Sequence, residues 1–432
     1  MTARNDRLIL VAFADPNAFY QSNPEAYRSP HRFDLANYIA HARQAEAAGF
    51  DAVFKPDFLG FDSSAEEVRP RAGFEPLTLL TALSQHTEKL GLIATQSTSY
   101  SEPYNVARYF TSLDNLSGGR ASWNVVTSYN GERNFGSGEF VPLAERYQRA
   151  EEFMQVTYKL WRGWKEGAVS HREEGLVFSG RLIDETKFEG KYFRVEEALD
   201  LPPGPQGKPV IVQAGASDEG LDFAARHAEI VFTATPHQQA ALSFYKSLKQ
   251  RVVNAGRQAQ DLKILPGLNI FVAPGKGQAE DLHRAQFTDK NLLAYRSKVV
   301  REAPLFKLDE LDLDEVIPRS AVPSLEELSR SERRRSRGLL LHPYLDRPGI
   351  TLRAFLSDIY EFGHLTLIGT PSSIADEMAE WFSNGAVDGF VLKGGNSFAT
   401  IADEINPILL DKGLLRPSTR PVQTFRDALF SY

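Results

Sequence analysis

The chain has 432 residues, no cysteine, 42% hydrophobic and 24% charged side chains, and a formal net charge of -7. That apolar share supports a sizeable core and argues against global disorder, and an acidic surface offers no field for a nucleic-acid backbone. With no cysteine there can be no disulfide framework, thiolate metal site or cysteine nucleophile, which points to the cytoplasm.

The first apolar run, RLILVAF (7 to 13), is short for a signal segment. No run approaches the roughly eighteen apolar residues of a membrane span, so neither a leader nor a span is expected. Strand-like runs recur along the chain: DAVFK (51 to 55), LGLIAT (90 to 95), ASWNVVT (121 to 127), KPVIVQ (208 to 213), EIVFTA (229 to 234), ILPGLNIFVA (264 to 273) and DGFVLK (388 to 393). Helical spacing fills several gaps between them. FDLANYIAHARQAEAAGF has Asp34 as a cap and Gly49 past its end; FEPLTLLTALSQHTEKLG has Pro76 in its first turn and Gly91 as its stop. TPSSIADEMAEWFSNGAVDGF has Ser372 or Ser373 as cap and Gly385 as stop.

Eight apolar strands alternating with helices predict an α/β fold, a (β/α)8 TIM-like barrel with insertions. An open doubly wound sheet shares the alternation, but no G-x-G-x-x-G follows the first strand, and GSGEF (136 to 140) has neither the spacing nor a strand before it. One domain over 1–432 is expected, with insertions at about 165–207 and about 274–350 and a C-terminal tail from about 412. The second insertion contains SLEELSRSERRRSRG, where Ser324 and Glu327 have capping-box spacing before a basic run that reads as a solvated helix face.

In such a barrel the C-terminal strand ends form the ligand site. Asp57 follows the second strand, Thr95 ends the third, and Gln96, Ser97 and Thr98 come next. Asn124, Thr127 and Ser128 end the fourth, and Ser217 in QAGASDEG opens a helix after the fifth. Small hydroxyl and amide groups with few charges suit an extended, polar, planar ligand. The glycine of QAGAS, Ser217 and the helix N–H groups suit a phosphate, with a plain capped helix as the alternative. Arg146 and Tyr147 stand near the start of a long amphipathic helix, where a guanidinium can fork onto an anion and a phenol can bond or stack. The nine histidines are scattered in no ligand spacing and are expected mostly at the surface, with no metal site. No G-x-S-x-G elbow and no close carboxylate pair supports a hydrolase.

SEPYNVARYFTSLDNLSGGRASWNVVTS, RYQRAEEF, KPVIVQAGAS and IGTPSSIADEMAEWFSNGAVDGFVL, in this order, resemble the bacterial-luciferase-like flavin-dependent monooxygenases. The likeness is to the branch typified by nitrilotriacetate monooxygenase component A and dibenzothiophene-sulfone monooxygenase. It implies a barrel that takes FMN, reduced by a separate NAD(P)H:flavin reductase, and uses O2 through a flavin peroxide to oxygenate a small organic substrate. It also implies a homodimer or homotetramer. By position it implies that Asp57, Thr95, Asn124, Ser128, Arg146, Tyr147 and Ser217 bind the cofactor, with Asn124 and Thr95 nearest the chemistry. Two positions depart from the pattern: FADPNAFYQ stands where the branch usually has a G-H-H motif, and Leu143 where it often has His. A deazaflavin-dependent hydride-transfer enzyme and a non-catalytic flavin-binding protein are the alternatives. NVVTS and the R-Y pair speak against the first, and the missing histidines motivate the second.

Overall fold

The computed structural model describes residues 7–15, 33–61, 73–128, 130–136, 139, 141–172, 175–215, 217–331, 335–345, 347–359, 363–395, 400–415 and 424–430. The strands β1 (Ile9–Phe13), β2 (Ala52–Lys55), β3 (Gly91–Ser97) and β4 (Ala121–Val126) pair in parallel in chain order. Two small antiparallel hairpins follow in the first insertion: β5 (Val169–Arg172) with β6 (Gly175–Phe178), and β7 (Phe188–Glu189) with β8 (Arg194–Val195). The barrel resumes with β9 (Val210–Gln213), β10 (Ile230–Thr233) and β11 (Lys263–Val272), and β13 (Gly389–Gly395) closes it between β11 and β1. The eight barrel strands are the eight runs read from the sequence.

The strand β12 (Leu365–Gly369) was not among them. It pairs with the outer half of β11 at Leu268–Val272, while β10 pairs with the inner half at Lys263–Pro266. Since β13 holds the other edge of β11 at Gly267–Ile270, β12 continues along the edge that β10 leaves.

Alternation along each strand buries both faces. Ile9, Val11, Phe54, Ile93, Val212, Leu265 and Val391 pack together in the lumen, while Leu10, Val53, Leu92, Trp123, Ile211 and Leu392 pack against the helices. Trp123 sets the register of β4: its indole lies among Phe110, Phe153 and Trp161 at ring separations of 5.6 to 6.2 Å, and its Nε1 donates to the Gln96 carbonyl. A one-residue slip would expose that ring and turn Asn124 away from the lumen.

The helices α1 (Leu35–Ala47), α2 (Pro76–Ser84), α3 (Pro103–Ser117), α4 (Leu143–Arg162), α5 (Asp218–His227) and α6 (Gln238–Asn254) surround the barrel. Asp34 caps α1 and Gly49 follows it at φ 80°, as expected. Two expected boundaries move. The helix α2 ends at Ser84, and Gly91 instead opens β3, where a Cβ would lie 2.6 Å from Phe425 Cδ2. The cap of Pro371–Ser383 is Thr370, in a capping box with Ser373 at the third helical position.

Between β11 and β12 the chain forms helices α7 (Lys276–Arg284), α8 (Asp289–Glu302), α9 (Leu325–Ser329) and α10 (Arg335–Leu341), within the segment read as the second insertion, and α11 (Leu352–Asp358) just beyond it. Residues from α8 through α11 share a separate apolar cluster containing Leu292, Phe306, Leu341 and Phe355. The Ser324–Glu327 capping box forms as read. The C-terminal segment is structural: Phe425 and Leu429 of Phe425–Phe430 join the lumen cluster and close the N-terminal end of the barrel. Phe425 N donates to the carbonyl of Gly119, the left-handed turn residue at φ 88° that precedes β4.

Candidate functional site

The lumen floor beneath the C-terminal mouth is aromatic. Phe13, Phe54 and Phe232 meet edge to face at 5.4, 6.1 and 5.9 Å between centroids. Above this floor, β3 and β4 supply a polar wall. Asn124 Nδ2 donates to Thr95 Oγ1 at 2.9 Å, and Thr95 Oγ1 donates to the Lys55 carbonyl at 2.9 Å. Because Thr95 spends its hydrogen on Lys55, Asn124 must present its amide nitrogen there, which fixes the side-chain orientation. Its Oδ1 is then left buried with no hydrogen-bond partner, on a residue only 3% exposed. An unsatisfied buried acceptor costs about 1 to 3 kcal/mol, a penalty that a ligand N–H would remove.

The exit of β4 is held by α4. Arg146, 4% exposed, donates through Nη1 to the carbonyls of Thr127 at 3.2 Å and Ser128 at 3.1 Å. Ser128 Oγ donates to Ser97 Oγ at 2.8 Å, tying the ends of β3 and β4 together. Burial raises the pKa of the Tyr147 hydroxyl, against the opposing effect of the neighbouring Thr127 and Ser217 side chains. This places α4 between the β4 exit and the start of α5.

Ser217 is the N-cap of α5, its Oγ accepting from Gly220 N at 3.1 Å. Glycine is required on both sides of this turn. A Cβ at Gly220 would meet the Tyr147 hydroxyl at 2.7 Å; one at Gly215 would meet the same oxygen at 2.8 Å and collide with Gln213 Nε2. Gln213, 3% exposed, has a second buried amide oxygen without a partner. The acidic side chains of the first turn are each matched by arginine: Asp218 with Arg251 at 2.7 Å, and Glu219 with Arg335 of α10 at 2.7 Å. The second insertion therefore reaches the start of α5.

Asp57, half-buried at the β2 exit, accepts from Phe58 N at 2.9 Å. Its pKa is raised by burial and, less, by Glu75, against the opposing effect of Lys55. Thus the seven residues singled out in the sequence all lie at the exits of β2, β3 and β4 or on α4 and the α5 cap. The FADPNAFYQ departure lies, from Pro16 onward, outside the described residues.

Two features escaped the sequence reading. Gln213 was visible as a polar strand end but was passed over. The histidines were expected mostly at the surface, yet His41, His342 and His364 are 7%, 4% and 8% exposed. The ring of His364 stacks on Phe232 of β10 at 5.3 Å between centroids. The local signal was LTLIG, a short strand following directly on that histidine.

A closed parallel barrel with an aromatic floor, unsatisfied buried amide oxygens and a glycine-lined helix start at its C-terminal mouth is a barrel enzyme with a ligand site in the usual place for this architecture. The model of the luciferase-like monooxygenase family matches residues 11–388, and the chain belongs to that family. It is 36% identical over 387 residues to N-acetyl-S-(2-succino)cysteine monooxygenase of Bacillus subtilis (strain 168), covering 87% of this chain and 85% of that protein. It is 35% identical over 419 residues to nitrilotriacetate monooxygenase component A of Aminobacter aminovorans, covering 93% and 91%. Among solved structures it resembles a riboflavin lyase with modified FMN and its substrate riboflavin, at TM-score 0.82 and 26% identity over 98% of this chain and 96% of that one. The protein is accordingly a monooxygenase.

Proposed function

We propose that this chain is the oxygenase component of a two-component system, taking reduced FMN from a separate reductase and using O2 to oxygenate a small organic substrate. The observation that carries the reading is the buried, partnerless Oδ1 of Asn124, held toward the lumen by the Thr95–Lys55 chain. A flavin ring presents N–H groups of the kind this acceptor lacks, and its flat apolar body suits the floor of Phe13, Phe54 and Phe232. The name "component A" of one relative and the FMN of the riboflavin lyase structure support the same reading.

The residues divide the work by place. Ser217, the α5 N–H groups and the Tyr147 hydroxyl hold the phosphate, in a turn where Gly215 and Gly220 let that hydroxyl pack close to the start of α5. Arg146 acts on the same end by fixing the carbonyls of Thr127 and Ser128. Asn124 and Thr95 orient the ring, Ser128 keeps the β4 exit joined to β3, and Asp57 contributes from the β2 exit. When bound, reduced FMN supplies the electrons that activate oxygen. The helices of the 274–350 insertion act as a lid that keeps water from the site, anchored near the phosphate by Arg335 on Glu219.

Titration of the purified chain with FMN tests this. Ser217→Ala and Arg146→Ala should each weaken binding, Arg146→Ala the more, since a buried cation and its two carbonyl bonds are lost. Unchanged titrations for both variants would remove the phosphate assignment. Reduced FMN, O2 and a panel of sulfur, amine and carboxylate compounds should yield oxygenated product rather than hydrogen peroxide alone.

A further inference from the structure

Among the polar residues at the strand exits, Gln213 stands apart. Thr95, Thr98, Ser97 and Ser128 each engage their hydroxyls with a carbonyl or with one another. Gln213 is 3% exposed, its Oε1 is buried with no partner, and among the described residues its Nε2 donates to nothing. A side chain placed there only to fill space would carry no amide, because burying one unbonded at both ends is a penalty that methionine or leucine avoids.

The fold fixes where that amide goes. Gln213 ends β9, in register with Val125 of β4 and Val231 of β10. It has the parity of Ile211, which packs against the helices, while Val212 faces the lumen. The side chain therefore leaves the sheet on the side of α4 and α5. A Cβ at Gly215 would collide with Gln213 Nε2 and lie 2.8 Å from the Tyr147 hydroxyl, so amide and phenol converge on bare backbone two residues before the Ser217 cap. Asn124 is on the neighbouring strand, paired with Val212. Gln213 thus stands between the polar wall of the lumen and the N–H groups that open α5.

An amide empty at both ends calls for a ligand segment that carries an acceptor and a donor side by side. A polyol phosphate is such a segment: anionic oxygens accept and the adjoining hydroxyls donate. We propose that Gln213 binds the ribityl phosphate tail of the flavin, Nε2 donating to a phosphate oxygen and Oε1 accepting from a ribityl hydroxyl, and that this pair of bonds makes the enzyme select FMN over riboflavin. The assignment rests on the reading of this chain as FMN-dependent. It makes Gln213 a cofactor-binding residue that discriminates by the tail, whereas Asn124 acts on the ring.

Fluorescence titration of the full chain with FMN, riboflavin and lumiflavin tests this, since the second lacks the phosphate and the third the whole tail. Gln213→Glu keeps the shape and an acceptor but puts an anionic oxygen in place of the donor. It should weaken FMN by about tenfold or more and leave riboflavin unchanged. Gln213→Met removes both bonds, so FMN should weaken by about tenfold, riboflavin severalfold and lumiflavin not at all. Without flavin, Gln213→Met should unfold in urea no earlier than the unaltered chain, because no bond is lost; a destabilised or unfolded variant would mark the amide as structural and overturn the assignment. Equal losses for all three flavins would do the same. If the unaltered chain binds FMN and both Gln213 variants bind it as well, the tail assignment fails and the flavin reading stands. If the unaltered chain binds none of the three, both fall.

Discussion

The two ends of the barrel both bury polar groups, and Arg120 with its network at one end contrasts with the orphaned amide oxygens of the strand exits at the other. At the N-terminal end, Arg120 uses its side-chain donors on Ser117 O, Ser84 O, Thr87 O, Thr87 Oγ1 and Leu90 O, at 2.7 to 2.9 Å. Glu229 receives Arg426 at 2.6 Å and Lys208 at 2.8 Å, and Asp388 accepts from Ile264 N and Tyr245. At the C-terminal end, Asn124 and Gln213 keep buried amide oxygens without partners. Saturated polar groups hold a fold together, whereas unsaturated ones are a local penalty that persists where a ligand is to be met.

Substitutions should separate the two ends. Arg426→Met, which leaves Glu229 with Lys208 alone, should cost about 3 to 5 kcal/mol in urea unfolding, with FMN affinity unchanged in the folded fraction. Burial alone would raise Glu229, but its two cations hold it at about 2, below the ordinary 4.5. A depressed carboxylate stabilises above its unfolded pKa. This contribution, about 3 kcal/mol, should be lost as pH falls from about 5 to about 2, and Glu229→Gln should flatten that limb of the profile.

At the mouth the order reverses. Asn124→Leu should change unfolding free energy by less than about 1 kcal/mol, because an orphaned acceptor leaves along with the bond to Thr95. FMN affinity should fall by about tenfold, read by quenching of flavin fluorescence. A strongly destabilised Asn124→Leu with normal FMN binding would break the contrast between the ends. The mildest change is Gly215→Ala, whose methyl presses on Gln213 and Tyr147; about 1 kcal/mol of stability and a severalfold loss of FMN affinity are expected.

The eight barrel strands were legible because each is a short apolar run buried on both faces, so its own residues announce it. The strand β12 was not: among the described residues it pairs with the barrel only along β11, and its half-buried positions Thr366 and Ile368 dilute the apolar run. Local rules also misplaced the end of α2, since Gln85 closes that helix and Gly91 answers to Phe425, far along the chain. The C-terminal segment read as a tail because the cavity it closes exists only once the barrel has formed.

The same division runs through the site. The polar strand ends, the R-Y pair and the serine cap could be read from residue type and position, because strand exits and helix starts impose their chemistry within a few residues. That Asn124 faces the lumen depended on Trp123 being buried among the helices, and that its Oδ1 lacks a partner depended on Thr95 being committed to Lys55. The meeting of His364 with Lys393 over Gly267 joins segments with no pattern in common. Short-range order follows from backbone geometry and side-chain periodicity; which charges share a cavity is decided only when distant segments pack.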